Sequence, residues 1–227
     1  MTTMTSSKYK ISKGELKKVI KECVMYSDSV RFNDKNHDNE DFDELADCFL
    51  KVPALKNQPP VLEIGTRAGG SALLLLRLMK KTMRSAVLVT VDPYGDKPYD
   101  NKPWRYGGSF FVQMKRLLSK YENHIHHHMT SHDFIRIIDQ ITFWHKGKKQ
   151  NYSRFSFIFL DGSHIPATVK HEYKNLFPRL IKGGFMVIDN TAYYKAHLRK
   201  YFGKLARNNK KITVLSTKHQ TIIQKNY

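Results

Sequence analysis

Residues 61–71 read VLEIGTRAGGS, and this stretch decides the fold. Its first four residues are typical of a buried strand, and the apolar run at 72–76 is typical of a buried helix. The glycines between them let the backbone approach a nucleotide-like ligand closely, since a Cβ there would block the ligand or strain φ. The spacing Glu-x-Gly-x-x-x-Gly differs from the Gly-x-Gly-x-x-Gly of pyrophosphate-binding turns, which favours a ligand without phosphates. A tight connection without any ligand is the alternative.

Strand-like and helical patterns alternate through the rest of the chain. This alternation predicts an α/β fold with a mainly parallel sheet, helices on both faces and a C-terminal antiparallel hairpin at one edge. The predicted strands are 61–64, 86–91, 124–130, 155–160 and 185–188, followed by the hairpin strands 212–216 and 221–224. The predicted helices between them are 71–81, 110–121, 132–144, 165–180 and 192–208.

A helical extension, residues 1–58, precedes this domain, which spans residues 59–227. Apolar residues at helical spacing predict one helix over 11–26, and a second helix that follows a loop at 27–41 and ends before Pro53. We expect the extension to cover the active site, and simple packing against the domain is the alternative.

The chain of 227 residues has a formal net charge of +19, which is distributed unevenly. Residues 34–47 hold seven acids, whereas residues 191–227 hold nine Lys or Arg and no acid. A basic face would suit nucleic acid, a nucleotide-linked sugar, an acidic glycan or a membrane surface, although a solvated surface without a partner is favoured. No apolar run is long enough to span a membrane, and the first residues lack a signal-peptide core. The two cysteines show no framework spacing, so a cytoplasmic location is expected.

Ligands of parallel sheets bind beyond the carboxyl ends of the strands. Asp92 stands at the end of the second predicted strand, where its carboxylate can accept hydrogen bonds from both ribose hydroxyls of an adenosine ligand. A turn-forming Asp before Pro93 is the alternative.

With the glycine turn and Asp92 together, residues 59–227 resemble the class I S-adenosylmethionine-dependent methyltransferases. The resemblance implies a Rossmann-like fold with a seven-stranded sheet and S-adenosylmethionine as the cofactor. It implies these cofactor-binding residues: Glu63 near the methionine part, Gly65, Thr66, Gly69 and Ser71 in the turn, Asp92 at the ribose, and Ser131 and His132 beside the adenine.

Polar residues also follow the fourth and fifth strands. Asp161 ends the fourth strand, and Asp189 and Asn190 end the fifth. Two carboxylates and an amide oxygen are hard ligands that suit Mg²⁺, whereas strand-end turns are the plain alternative for each residue alone. In this arrangement the chain resembles metal-dependent O-methyltransferases of the catechol and caffeoyl-CoA type, which implies a divalent cation, expected to be Mg²⁺, on these three residues.

His164 follows Asp161 by three residues, where the catechol-type enzymes have a Lys base. The form Asp-Gly-Ser-His instead resembles the macrocin-type and rhamnosyl O-methyltransferases, which methylate sugar hydroxyls. An imidazole can accept the proton of a hydroxyl whose acidity a metal has raised, so Asp161 and His164 are the predicted catalytic residues. A helix cap is the alternative for His164.

Aromatic residues supply the predicted acceptor pocket. The insertion at 93–109 holds Tyr94, Trp104 and Tyr106, which predict a lid that stacks on sugar rings, and Tyr193 follows the metal residues. Core packing is the equal alternative for the lid. The histidines at 124, 126, 127 and 128 lack a completing acid or Cys and are interpreted mostly as surface residues.

These features predict an S-adenosylmethionine-dependent, Mg²⁺-dependent O-methyltransferase that acts on a hydroxyl, with a sugar in a glycan or glycosylated metabolite as the favoured acceptor. One alternative is an RNA ribose methyltransferase that uses the basic surface, although nucleic acid is not the favoured partner. Another is a non-catalytic binding module on the same fold. A homodimer is left open.

Overall fold

The computed structural model describes residues 11–26, 35–82, 85–99, 102–106, 108–191, 196–217 and 219–226. Two helices, α1 (Lys13–Val24) and α2 (Lys35–Lys51), precede the first strand. The first half of the domain then consists of β1 (Val61–Ile64), α3 (Gly70–Lys81), β2 (Leu88–Val91), β3 (Gly95–Tyr99), β4 (Lys102–Tyr106), α4 (Gly108–Leu118) and β5 (His124–His127). The second half consists of α5 (Ser131–Ile137), β6 (Thr142–His145), β7 (Lys148–Asn151), β8 (Phe155–Leu160), α6 (Pro166–Leu176), a 3-10 turn (Phe177–Arg179), β9 (Leu180–Ile188), α7 (Ala196–Asn208), β10 (Ile212–Ser216) and β11 (Thr221–Lys225).

Seven strands form one sheet in the order β10-β11-β9-β8-β1-β2-β5. The five strands from β9 to β5 are parallel, and β11 pairs antiparallel with both β9 and β10. The predicted seven-stranded, mainly parallel sheet with a C-terminal antiparallel hairpin is therefore confirmed. The strand β1 lies between β2 and β8, which brings the glycine turn to the centre of the sheet edge.

The core has two parts because successive strand residues point to opposite faces of the sheet. Val61 packs with the helices α1 to α4 on one face, and Leu62 packs with α5 to α7 on the other. On the first face, the rings of Phe49 and Phe157 meet edge to face with centroids 5.5 Å apart, which joins α2 to the sheet. All residues of β1, β2 and β8 are buried, as expected for parallel strands covered on both sides.

One predicted helix is wrong over half of its length. The helix expected at 132–144 ends at Ile137, and the hairpin β6–β7 follows it. Lys146 and Gly147 have φ values of 50° and 71°, as a two-residue hairpin turn of type I′ requires. Thr142, Phe143 and Trp144 also favour a strand over a helix.

Two other regions differ from the sequence prediction. The loop expected at 27–41 is helical from Lys35 onward, since α2 begins there. The insertion at 93–109 contains a separate two-stranded sheet of β3 and β4, which the sequence pattern did not predict.

The extension packs beside the domain through α1 and α2. A capping box between Ser12 and Glu15 begins α1, and ion pairs join Glu22 to Arg77 and Glu15 to Lys81 on α3. In the part of the chain that the structure describes, none of the helices combines the length and the apolar character needed to cross a membrane.

Candidate functional site

The turn after β1 adopts a backbone that only glycine tolerates well at two positions. Gly65 has a φ of 90°, and Gly69, which caps α3, has a φ of 91°. A Cβ on Gly69 would meet only side chains, at ordinary contact distances of 3.5 Å. The left-handed backbone is therefore the reason for glycine at 69.

Gly65 has a second constraint, which joins this turn to the end of β8. A Cβ there would lie 2.2 Å from the backbone oxygen of Asp161 and 2.5 Å from the Cα of Gly162. The Asp161 amide also donates to the Ile64 carbonyl at 2.8 Å. Glycine at 65 thus brings the predicted cofactor turn directly against the predicted metal residue.

Glu63 is fully buried at the base of the turn. The Ser71 hydroxyl donates to its Oε1 at 2.5 Å, while Oε2 and the hydroxyl of Thr66 are buried without a hydrogen bond of ordinary geometry among the described residues. Burial raises the pKa of Glu63 to about 8, against the opposing effect of the Ser71 and Thr66 hydroxyls. The site therefore holds a neutral acid with an unused oxygen, which a cationic ligand would convert to a carboxylate.

Asp92 is buried after β2 and fixes the backbone of two neighbouring segments. Its Oδ2 accepts from the Arg67 amide at 2.9 Å and its Oδ1 from the Tyr94 amide at 3.0 Å. Burial raises the pKa of this carboxyl group, and hydrogen bonds from the amides of Arg67, Tyr94 and Thr66 oppose the rise. A carboxylate has about four lone-pair sites, so the predicted ribose contact and this backbone role are compatible.

The other predicted cofactor and acceptor residues are placed as follows. Ser131 begins α5, and the exposed ring of His132 stacks on the ring of His171 with centroids 4.4 Å apart. Tyr94 is buried rather than exposed in a lid, and its hydroxyl donates to the Arg67 carbonyl at 2.6 Å. Trp104 and Tyr106 lie on β4. Tyr193 lies outside the described residues.

The predicted metal residues come together at the ends of two neighbouring strands. Asp161 follows β8 and Asp189 follows β9, and the Asp189 amide donates to the Leu160 carbonyl at 2.9 Å. Burial, and then the charge of Asp189, raise the pKa of Asp161 well above its usual range. Asn190 has a φ of 53°, and its Nδ2 lies 3.5 Å from Nε2 of the buried His164.

These donors fit a hard divalent cation. Two adjacent carboxylates beside an amide oxygen form the kind of oxygen set that binds Mg²⁺. The described residues contain no group of three His, Cys, Asp or Glu side chains placed to hold a metal, so Asn190 would have to serve as a ligand.

Two residues at this site were missed by sequence reasoning. The Gln220 amide donates to Oδ1 of Asp189 at 3.0 Å, and Gln220 is 1% exposed. The charge of Arg67 lowers the pKa of both Asp92 and Asp161, so this side chain lies near both carboxylates. Nothing in the local sequence marks Gln220, whereas Arg67 lies inside the glycine turn and could have been considered.

The interpretation of the histidines at 124, 126, 127 and 128 as mostly surface residues is wrong for three of them, since only His128 among these four is exposed. His124 and His126 are partly buried, and a ring nitrogen of each lies within 3.0 Å of the Thr90 hydroxyl. Burial lowers their pKa values to about 4 and about 3, so both rings are neutral near pH 7. His127 lies on the other face, 2.9 Å from the Tyr152 hydroxyl.

Comparison with known families gives one match. A family model described as a methyltransferase domain matches residues 62–191 of this chain. Among curated proteins, none matches the sequence significantly.

Several solved structures share the fold. Calicheamicin methyltransferase CalS11 superposes with a TM-score of 0.58 at 12% identity, covering 99% of this chain and 98% of its own. The O-methyltransferase NovP has a TM-score of 0.56 at 11% identity, covering 83% and 81%. MycE from the mycinamycin biosynthetic pathway, in complex with Mg, SAH and mycinamycin VI, has a TM-score of 0.58 at 17% identity. That match covers 97% of this chain but 55% of MycE.

Proposed function

We propose a reaction from the premise that this chain belongs to the methyltransferase domain family and is a class I S-adenosylmethionine-dependent methyltransferase. In this proposal the protein methylates a hydroxyl oxygen of a sugar. The sugar would be part of a glycan or a glycosylated metabolite. The observation that supports this acceptor chemistry is the pairing of Asp161 and Asp189 beside Asn190 and His164. A site for a hydroxyl acceptor needs groups that bind the oxygen and a group that accepts its proton, and this cluster has both.

S-adenosylmethionine would be held by Glu63, Gly65, Thr66, Gly69, Ser71, Asp92, Ser131 and His132. When bound, it supplies a methyl group on a positively charged sulfur. The role of Glu63 is electrostatic, since its unused buried oxygen offers a negative charge to a cationic ligand. Asp92 has two roles in this proposal. It fixes the turn by accepting from the Arg67 amide, and it accepts hydrogen bonds from the ribose hydroxyls.

A divalent cation, Mg²⁺ in our proposal, would be held by Asp161, Asp189 and Asn190. When bound, it supplies Lewis acidity to an acceptor hydroxyl. Gln220 keeps Asp189 oriented by its hydrogen bond to Oδ1. Positioning by these residues would contribute much of the rate, because two reactants are held in one geometry.

His164 accepts the hydroxyl proton in this proposal. Its Nε2 lies 3.5 Å from the amide Nδ2 of Asn190, a position in which a neutral ring with its lone pair on Nε2 can accept from that amide. Asp161 lies three residues before it, on the same strand-end loop.

A sugar acceptor is supported by the neighbours' described activities. CalS11 is described as a TDP-rhamnose 3'-O-methyltransferase, and MycE was solved with Mg and mycinamycin VI. In this chain Tyr94, Trp104, Tyr106 and Tyr193 would shape the acceptor pocket, with Tyr94 acting from its buried position through the Arg67 backbone.

The test is methyl transfer from S-adenosylmethionine to a panel of nucleotide-linked sugars, glycans, catechols and RNA, with calorimetry of donor binding. We expect transfer to a sugar hydroxyl that chelator abolishes and Mg²⁺ restores. Asp161→Asn should lose transfer while keeping donor binding, and the exposed Asp139→Asn, far from the cluster, serves as control. Methyl transfer to RNA alone would contradict the proposal of a sugar acceptor. Transfer that chelator does not reduce would contradict the metal-dependent mechanism. Absence of donor binding would indicate a non-catalytic binding module.

A further inference from the structure

The basic residues concentrate at the edge of the sheet opposite the candidate site. Each helix that follows a parallel strand returns the chain from the carboxyl end of the sheet to its amino end. The C-terminal ends of these helices and the loops before the next strands therefore lie at the amino end. We call this the distal edge and define it by six exposed cations: Lys80, Lys120, Lys149, Arg154, Lys182 and Lys211.

Acidic residues do little to neutralise this edge. Among the described acids there, Asp139 is bound through both oxygens by Arg179, at 2.8 Å each, and Glu15 pairs with Lys81 at 3.2 Å, while Glu122 is exposed. Burial, and then the charge of Arg154, lower the pKa of Lys225. These two cations therefore lie close to each other at the amino end of the sheet. Cations therefore outnumber acids at the distal edge, which carries a net positive charge.

The hairpin β6–β7 adds an exposed aromatic ring to the distal edge. His145 lies 3.0 Å from the Ser85 carbonyl, just before β2, which places the hairpin at the amino end of the strands. Phe143 anchors it, because its buried ring stacks on Tyr152 with centroids 4.9 Å apart. Trp144 is 72% exposed and pairs with Lys149 across the hairpin, so the two side chains share one face.

A second exposed apolar side chain lies at the same edge. Leu55, in the loop that leads into β1, is 46% exposed. An exposed Trp beside lysines, together with an exposed Leu, is a combination that suits the boundary between lipid headgroups and acyl chains.

We propose that the distal edge docks this protein on an anionic lipid surface. Trp144 and Leu55 enter the headgroup region, and the lysines of the hairpin and the sheet edge meet the lipid phosphates and carboxylates. The cations are spread over the width of the seven-stranded sheet, about 30 Å, so they can contact many lipid headgroups at once. Binding of single-stranded nucleic acid rests on several stacking platforms along a groove, whereas Trp144 is the exposed aromatic of this edge among the described residues. Because the candidate site lies at the opposite edge, it would face water.

The experiment is co-sedimentation of the full chain with vesicles of phosphatidylcholine alone or with about 30 mol% phosphatidylserine. We expect binding to the anionic vesicles that weakens with salt, and little binding to the neutral ones. Lys148→Ala with Lys149→Ala should weaken binding about 25-fold at low salt, because each lysine near such a surface contributes about five-fold. Lys200→Ala with Lys204→Ala removes the same charge from exposed positions of α7 and should change binding less than about two-fold.

The contribution of Trp144 is measured separately, by tryptophan fluorescence. The fluorescence of wild-type protein should shift to the blue on anionic vesicles, the shift should be lost in Trp144→Phe, and Trp144→Ala should bind several-fold more weakly. Donor affinity measured by calorimetry checks that every variant is folded, and it separates this proposal from the enzymatic one. Equal binding to neutral vesicles, no binding to either, or unchanged binding by the hairpin variants would overturn the proposal. So would tighter binding of a single-stranded RNA of about 20 nucleotides that the same variants abolish.

Discussion

The side-chain amide of Gln220 donates a hydrogen bond to Oδ1 of Asp189 at 3.0 Å, although the two residues are far apart in sequence. Antiparallel pairing of Thr221 with Ile188 brings them together, because Gln220 precedes β11 and Asp189 follows β9. The same amide nitrogen lies 3.4 Å from the Asp41 carbonyl on α2, so the helical extension contacts this corner of the candidate site.

We expect Gln220→Ala to lower the rate of methyl transfer and to raise the Mg²⁺ concentration needed for half of the maximal rate. Loss of an outer hydrogen bond to a metal ligand typically costs about 10- to 100-fold in metal affinity or activity. Donor affinity should stay within about two-fold, because the Gln220 amide bonds to Asp189 and to the Asp41 carbonyl and not to a residue proposed to hold the donor. Gln224→Ala, at a half-buried position on β11, is the matched control. If Gln220→Ala kept wild-type Mg²⁺ dependence, Asp189 would not depend on this bond.

Gly65→Ala should destabilise the protein far more than Gly95→Ala. Both glycines have φ near 90°, but a Cβ on Gly65 meets the Asp161 backbone, whereas nothing lies within 4 Å of a Cβ on Gly95. Backbone strain alone costs about 1–2 kcal/mol, and a clash with backbone adds about 1–3 kcal/mol. Urea unfolding of both variants gives the comparison, and equal losses would show that the contact with Asp161 relaxes without cost.

The sequence predicted the central sheet well because each strand is encoded locally. Apolar runs such as Val61–Ile64 and Phe155–Leu160 are buried on both faces and need no distant context to be recognised. The convergence of Asp161 with Asp189 was also predictable, since parallel strands share one carboxyl edge.

The misassigned parts depend on tertiary structure or on turn chemistry. The role of Gln220 comes from the register of β11 against β9, which no local pattern specifies. The sequence pattern predicts a helix where the hairpin β6–β7 lies, because apolar residues around Phe143 fit either period, whereas the turn at Lys146 and Gly147 decides for the hairpin. The buried position of Tyr94 comes with ring contacts to Phe111 and His126 and a hydrogen bond to the Arg67 carbonyl, which are tertiary contacts that no local pattern specifies.

His164→Gln should lower kcat by about 10²- to 10⁴-fold, the usual contribution of a general base. The KM for the donor should stay nearly unchanged, because the proposed role of His164 is to accept the proton of the acceptor hydroxyl and not to hold the donor. Added imidazole should restore part of the rate if the ring acts as a base. His145→Gln, which changes the same side chain on the hairpin β6–β7 at the opposite edge of the sheet, should retain activity. A His164 variant with a normal kcat, or one that imidazole fails to rescue, would assign the residue a structural role.

Glu63 should make the stability of the ligand-free protein fall as the pH rises from 6 to 8. The folded state raises the pKa of this carboxyl group to about 8 from an ordinary value of 4.5. The folded chain therefore binds a proton that the unfolded chain has lost, and the stabilisation present below pH 4.5 disappears as the pH passes through the folded pKa. At about 1.4 kcal/mol for each pH unit, the loss over this window is about 2 kcal/mol.

Glu63→Gln isolates this contribution, because glutamine keeps the shape of the neutral acid. The difference in unfolding free energy between wild type and Glu63→Gln should shift by about 2 kcal/mol between pH 6 and pH 8, in favour of the variant at the higher pH. Glu122→Gln, the same substitution at an exposed position, is the matched control. Donor binding by the wild type should release a proton near pH 7, measured by calorimetry in two buffers of different ionisation enthalpy, because a cationic ligand favours the carboxylate. If the difference in unfolding free energy between wild type and variant did not depend on pH, Glu63 would be ionised in the ligand-free fold. The hydroxyls of Ser71 and Thr66 would then lower its pKa by more than burial raises it.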